Sequence, residues 1–379
     1  VGLAAGLVAL AFQEALYFIG VLRIALWNAL QAQPHVVGLV LLPLLAAAAG
    51  GLAAWLTARY APEAAGSGVP HIKGVLVYAG ELRGLRVLLV KFFGGLLTIG
   101  SGFSLGREGP TVQMGAAAGK LVGQWLRVPP KAEPRLIACG AGAGLAAAFH
   151  APLAGFIFTI EELQREFSSL TYAMALVAAV VADIVAISYL GSAEAFHPAG
   201  FPALTLGALP ACVVIGALAG ALGTAFNKSL LAMQAFVRGQ ITLAPWQRAA
   251  AIGLVVGVVI WYVPDLAGGG HHTAERLLDA ADAGPAQVPY LLLLLVGKFA
   301  LTLLCYCAGV PGGIFAPMLL IGACLGILTG IGTQALAPAV VAIPESLAAV
   351  GMAAFFSAVV RAPLTGIVLV LQMTGDWNQ

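Results

Sequence analysis

The chain has 379 residues, 61% of them hydrophobic and only 9% charged, with a net charge of +2. A soluble domain is excluded by that balance, and the absence of a basic run leaves no surface for nucleic acid. The apolar runs are continuous and rich in Leu, Ala and Gly, without the period-two alternation of barrel strands. An all-α polytopic membrane protein is therefore expected.

The first residues lie inside an apolar run with no charged leader or cleavage site, so no signal peptide is expected. The runs 36–58, 169–190, 207–226 and 249–263 are each long enough to cross a bilayer as a helix. Between them lie short motifs. Gly66-Ser67-Gly68-Val69-Pro70 builds a tight turn with Pro near a helix start, where backbone N–H groups and the Ser67 hydroxyl suit an anion. An ordinary Ser N-cap accounts for the same residues. Lys91 and Lys298 are isolated in apolar stretches and are expected to pack against buried carbonyls or a carboxylate. Gly106-Arg107-Glu108-Gly109-Pro110-Thr111 is a second Gly-flanked helix start, now with a carboxylate at its tip. A capping Glu paired with Arg107 is the plainer reading, although ionisable groups this deep in apolar sequence are costly and usually functional.

A helix beginning at Pro152 should carry Glu161 and Glu162 near its far end, with Arg165 and Glu166 one turn on. A solvated helix end with i,i+4 ion pairing explains them equally well. Residues 191–206 form a polar, Pro-containing join. His271-His272 follows three glycines and is discounted as a metal site for want of further ligands. Gly312-Gly313-Ile314-Phe315-Ala316-Pro317 is an uncharged helix start, suited to main-chain donors and an aromatic wall. Gly and Pro at 106–110, 151–155, 311–317 and 362–366 are expected to start helices in mid-membrane. The five cysteines lie in apolar segments and read as small core residues, and most of the 48 glycines as packing positions.

The chain is written twice. Lys91-Phe92 recurs as Lys298-Phe299, Gly106–Pro110 as Gly313–Pro317, and Gly144–Phe149 as Gly351–Phe356, all 207 residues apart. Twelve of 33 positions in 91–123 are identical in 298–330. The first transmembrane repeat with its connecting loop is expected over 1–206 and the second over 207–379. Arg83, Arg86, Arg127, Lys131 and Arg135 mark first-copy loops whose counterparts, 285–293 and 331–342, carry no Lys or Arg. Arg238 and Arg248 mark a second-copy loop whose counterpart, 31–41, has none. The positive-inside bias then puts equivalent loops on opposite sides, an inverted-topology repeat. After Pro152 the first copy runs on for some 38 apolar residues, and after Pro363 only 16 remain, so the second copy is expected to lack a helix or two.

Three motifs in this order, GSGxP at 66–70, GREGP at 106–110 and GxFxP at 313–317, inside an inverted repeat, resemble the CLC family of chloride channels and chloride/proton antiporters. The stretch Arg361–Gly366 is similar to the family's late re-entrant helix start. The resemblance covers essentially the whole chain and implies a CLC-like fold of tilted and broken helices. It implies a central chloride bound by Ser67 and the backbone amides of Ile314 and Phe315, with an outer anion site formed by the backbone around Arg107 to Gly109. Glu108 would be the gating and outer proton glutamate, and Glu162 the inner proton glutamate that favours an antiporter over a passive channel. The family's central-site tyrosine belongs to a last helix not found in these residues, and no cystathionine-synthase-like regulatory domain is seen. The implied partners are chloride, protons, membrane lipid and a second copy in a homodimer through 152–164 and 169–190, in a bacterial inner membrane. Neither a cofactor nor a metal is implied. No Ser/His/Asp array, catalytic acid pair or nucleotide loop appears, so enzymatic chemistry is not expected.

Overall fold

A computed structural model describes residues 1–78, 80–163, 169–190, 206–279, 284–338, 340–341 and 343–375. Among them are fifteen α-helices. The first copy holds α1 (Gly2–Gln31), α2 (His35–Tyr60), α3 (Val69–Tyr78), α4 (Gly84–Gly100), α5 (Glu108–Trp125), α6 (Glu133–Phe149), α7 (Pro152–Phe158) and α8 (Ser169–Leu190). The second holds α9 (Leu209–Gln240), α10 (Pro245–Tyr262), α11 (His271–Asp279), α12 (Val288–Tyr306), α13 (Phe315–Leu336), α14 (Ala348–Val360) and α15 (Pro363–Thr374). The expected runs are all found, and α9 is far longer than its 207–226 core. At 32 residues it spans about 48 Å and must tilt to fit a bilayer. α7, α10 and α15 each begin with Pro, which is preset for helix and has no N–H to leave unpaired.

The inverted repeat is visible in detail. Gly106 and Gly313 form an antiparallel bridge in which each N–H donates to the other's carbonyl at 2.7 Å. Equivalent residues paired reciprocally and antiparallel lie on a pseudo-two-fold axis. The same axis relates the turn Ala61–Gly68 to Val263–Gly270, each a short 3-10 turn beginning with Pro. Lys91 Nζ donates to the carbonyls of Ala64 and Gly66 at 2.9 and 2.6 Å, and Lys298 Nζ to those of Leu266 and Gly268 at 3.1 and 2.6 Å. These are the carbonyl partners the sequence led us to expect. The offset drifts, being 207 residues at Lys91 and Lys298 but 202 at Gly66 and Gly268. At the left-handed helix ends His150 (φ 52°) and Arg361 (φ 64°), each followed by Ala-Pro, it is 211.

One repeat match is corrected by this drift. In α6, Gly140 sits against Gly115 of α5, and in α14, Gly351 sits against Gly322 of α13. Gly140, and not Gly144, is therefore the counterpart of Gly351. The sequence alignment of Gly144–Phe149 with Gly351–Phe356 is one helical turn out of register, because Gly- and Ala-rich helices match themselves at several shifts.

Close helix approach holds the two halves. Gly115, Gly119, Gly140 and Gly144 let the backbones of α5 and α6 touch, and Gly322, Gly326, Gly330 and Gly351 do the same for α13 with α14 and the turn before it. Gly253 and Gly257 of α10 lie on Ala46 and Pro43 of α2. All five cysteines are free, and four of them are buried. Gly140→Ala should place a methyl on the Gly115 carbonyl and cost about 1–3 kcal/mol, the usual range for overpacking. Gly220→Ala, where an added Cβ meets nothing within 4 Å, should leave the melting midpoint unchanged or higher. Size exclusion in detergent after heating reads both variants.

Candidate anion-binding site

The first wall of the site is the turn before α3. Gly66 and Gly68 adopt φ of +66° and +85°, which lets the chain reverse tightly around Ser67. The turn is pinned from below by Lys91 and from the other half by two bonds, Gly66 N–H to Val310 O (2.9 Å) and Gly312 N–H to Gly66 O (3.0 Å). Ser67 is 4% exposed. Its N–H donates to the Tyr306 hydroxyl oxygen, and the Tyr306 O–H donates to Ser67 Oγ, both at 3.4 Å. The hydroxyl thus serves a partner across the halves rather than acting as a plain N-cap.

Glu108 is the first residue of α5 and has no exposure to solvent. One carboxylate oxygen, Oε2, accepts the N–H of Ala316 in the first turn of α13 at 3.3 Å, and the other lies 2.6 Å from His271 Nε2. The carboxylate also lies over Gly106, where any side chain would displace it. Arg107 does not pair with Glu108. Its guanidinium turns towards α6 and donates to Ala148 O at 3.5 Å, so the simple capping pair is not formed.

The third wall is the start of α13, capped by Ile314 and begun by Phe315. The Phe315 ring lies edge-on to Phe356 and Phe158, with centroids 5.0 and 6.3 Å away, the aromatic wall expected from the sequence. A Cβ built on Gly109 would stand 2.9 Å from Ser67 Cβ and 3.0 Å from Gly313 Cα. Gly109 therefore touches both Ser67 and Gly313, and the starts of α3, α5 and α13 converge. Three helix N-termini offer main-chain donors and positive dipole ends without a fixed countercharge, which is what a small anion requires in an apolar interior.

The Glu161–Glu162 pair is reached differently from expectation. α7 ends at Phe158 and continues as a π-turn over Thr159–Leu163, so the two acids point apart. Glu161 accepts the N–H groups of Leu364 and Thr365 (3.2 and 2.8 Å) and the Thr365 hydroxyl, capping α15. Glu162 pairs with Lys73 of α3 at 2.5 Å, and its side chain is 12% exposed. That partner lies across the fold, whereas Arg165 and Glu166 fall outside the described residues. Two cavities flank the converging helix starts. One of about 400 Å3 is lined by Arg23, Asp265, His271, His272 and Arg276, and one of about 350 Å3 by Gly66, Gln234, Arg238, Arg248 and Tyr306.

A sequence model described as voltage gated chloride channel matches residues 49–379. The chain belongs to this family, the CLC proteins. It is 40% identical over its whole length to the H(+)/Cl(-) exchange transporter ClcA of Vibrio vulnificus, covering 81% of that protein, and 38% identical to ClcA of Salmonella agona, covering 80%. Among solved structures, a slow cyanobacterial Cl-/H+ antiporter superposes with a TM-score of 0.93 at 33% identity, covering all of this chain and 88% of that one. A CLC-type fluoride/proton antiporter, at 23% identity and a TM-score of 0.77, shares the fold.

Two residues of this CLC chain stand in the site although sequence reasoning passed them over. Tyr306 is the last residue of α12, and nothing in its own neighbourhood marks it. His271 was weighed only as a metal ligand. Its signal was the three-glycine turn before it, whose Gly268 and Gly270 have φ of +60° and +89° and mirror Gly66 and Gly68. The five-residue difference in offset hid that relation. The Ser67 turn itself depends on Lys91. Lys91→Met would leave the Ala64 carbonyl without its Nζ donor and the Gly66 carbonyl with the Gly312 N–H alone, at a cost of about 1–3 kcal/mol, while Lys73→Met should cost under about 1 kcal/mol. Thermal unfolding in detergent should separate the two clearly.

Proposed function

We propose that the chain exchanges chloride for protons across the bacterial inner membrane. The observation that carries this reading is Glu108, a fully buried carboxylate seated on the N-terminal amide of α13, beside the Ser67 turn and between two basic cavities. In that seat it occupies ground a halide would take. Burying a bare chloride in hydrocarbon costs on the order of tens of kcal/mol unless dipoles replace its water. Helix starts supply those dipoles, and without a fixed countercharge binding stays weak enough for release.

On this proposal Ser67 and the amides at Ile314 and Phe315 hold the central chloride, and the backbone from Arg107 to Gly109 holds an outer one. Glu108 ionised blocks the path; Glu108 protonated leaves its seat and admits the anion. Proton uptake and chloride occupancy are then linked, and the linkage couples the two fluxes. Glu162 takes protons on the side of the basic loops, its carboxylate shared with Lys73. The relatives named as H(+)/Cl(-) exchangers favour exchange over a passive channel. The reading extends to a division into repeats over 1–206 and 207–379, and to a homodimer through α7 and α8.

In liposomes, a chloride gradient should drive protons uphill. Glu108→Gln should abolish proton movement while chloride still passes, and Glu162→Gln should do the same. A reversal potential that ignores pH in the unaltered protein would mean a channel. Tyr306→Phe removes both hydrogen bonds at Ser67 and should weaken chloride binding on the order of tenfold, read by titration calorimetry.

A further inference from the structure

We propose that His271 is the outer proton relay, through which protons pass between the outer cavity and Glu108. The inference rests on the gating role proposed above for Glu108. Its geometric basis is direct. His271 Nε2 lies 2.6 Å from Glu108 Oε1. The Glu108 side chain is wholly buried, whereas that of His271 is 27% exposed and lines the 400 Å3 cavity. The imidazole therefore bridges a carboxylate that solvent does not touch and a space large enough for several waters. The edge of the Phe149 ring, 5.9 Å from the imidazole centroid, fixes its plane from α6.

Charges of both signs surround the ring. Arg23 faces the cavity from α1 and donates to the carbonyls of Ile99 and Gly100. Arg107 precedes Glu108 at the N-cap of α5, its guanidinium turned towards α6. Arg276 of α11 is bound to Asp265 of the turn before it, and Asp265 also accepts from Tyr290 of α12 at 2.7 Å. Lys298 of α12 holds the carbonyls of Leu266 and Gly268 beneath Gly270. His272 and Glu275 lie on α11 itself, and Glu345 on the turn packed against it. These cations and carboxylates balance in number, so the ring stands in a cavity of mixed charge. A bridge from cavity water to a buried carboxylate needs a side chain that can both accept and donate a proton, and imidazole does both.

The transfer balances without any co-reactant. The imidazolium gives its Nε2 proton to Glu108 Oε1, leaving a neutral ring and a neutral carboxylic acid. When the acid leaves its seat, Nε2 faces cavity water and takes the next proton from hydronium. One proton moves from water to Glu108 per cycle, and the ring returns to its starting form. The reverse sequence releases protons outward.

A hydrogen-bonded His271 that merely propped Glu108 in place would be replaceable by an amide. The test uses the full chain in liposomes and compares unaltered protein with His271→Gln, His271→Ala and Glu108→Gln. Proton and chloride fluxes are measured with outer pH set from about 5 to about 8. The relay predicts that His271→Gln and His271→Ala lose about tenfold or more in proton flux relative to chloride flux, within the range typical of a positioned acid or base. It also predicts a flattened dependence on outer pH. Imidazole added outside should restore proton flux to His271→Ala, which a lost prop would not allow, and chloride flux in each variant reports that it has folded. Wild-type coupling and pH profile in His271→Gln overturn the inference. If Glu108→Gln is proton-silent in the same vesicles, that failure belongs to His271 alone; if Glu108→Gln still moves protons, the reading of Glu108 has failed instead.

Discussion

Everything in this fold follows from the need to bring helix N-termini to a point inside an apolar slab. A helix that crosses a membrane keeps its dipole ends at the surfaces, where water screens them. To aim three such ends inward, α3, α5 and α13 must start in the interior, and the chain must turn there. Irregular backbone at that depth carries polar groups that lipid cannot satisfy. The molecule answers with internal donors. Lys91 and Lys298 each hold two carbonyls of a turn, and Gly106 and Gly313 pair with each other across the halves. Thr98 donates to Pro311 O, and Ser104 N–H donates to Cys305 Sγ, a second set related by the same axis.

These cross-half bonds mean that neither repeat builds the site by itself. The Ser67 turn is held by Val310 and Gly312, and the Glu108 carboxylate by Ala316 and His271, all from the second half. The Glu108 carboxylate therefore sits at the seam. In the gating proposed for it, its departure would break contacts to the second half and leave the Gly106–Gly313 bridge, a main-chain contact, intact. The scaffold can stay rigid while one side chain moves, which suits a gate that must open without loosening the turns around it.

Much of this was legible in the sequence, and the limits have physical reasons. The fold class follows from continuous apolar runs, and the repeat from motifs whose spacing is preserved because α4–α5 and α12–α13 keep one register. The starts of α3, α5 and α13, beside which Ser67, Glu108 and Phe315 stand, meet at Gly109. Register was lost where loops changed length. The 202-residue offset at the first turns hid the pairing of Gly66–Gly68 with Gly268–Gly270, and with it the place of His271. The 211-residue offset at α6 and α14 produced a false match between glycine-rich helices. Partners that depend on side-chain direction, such as Tyr306 on Ser67 and Lys73 on Glu162, leave no trace in spacing.

The departures from symmetry are as informative as the symmetry. Residues the two halves share are those that shape backbone: Pro62 and Pro264, Gly66 and Gly268, Lys91 and Lys298, Gly106 and Gly313, Pro110 and Pro317. Among the residues that differ at equivalent places are four pairs with chemistry: Ser67 opposite Gly269, Val69 opposite His271, Glu108 opposite Phe315, Arg107 opposite Ile314. A perfect two-fold would give a site with identical faces and no sense of direction. Placing the carboxylate on one half and the imidazole and aromatic wall on the other gives the two cavities different chemistry, the Glu108–His271 contact towards one and the Ser67–Tyr306 contact towards the other. On the proposed exchange, direction-dependent handling of protons would draw on these four differences among the many that separate the two halves.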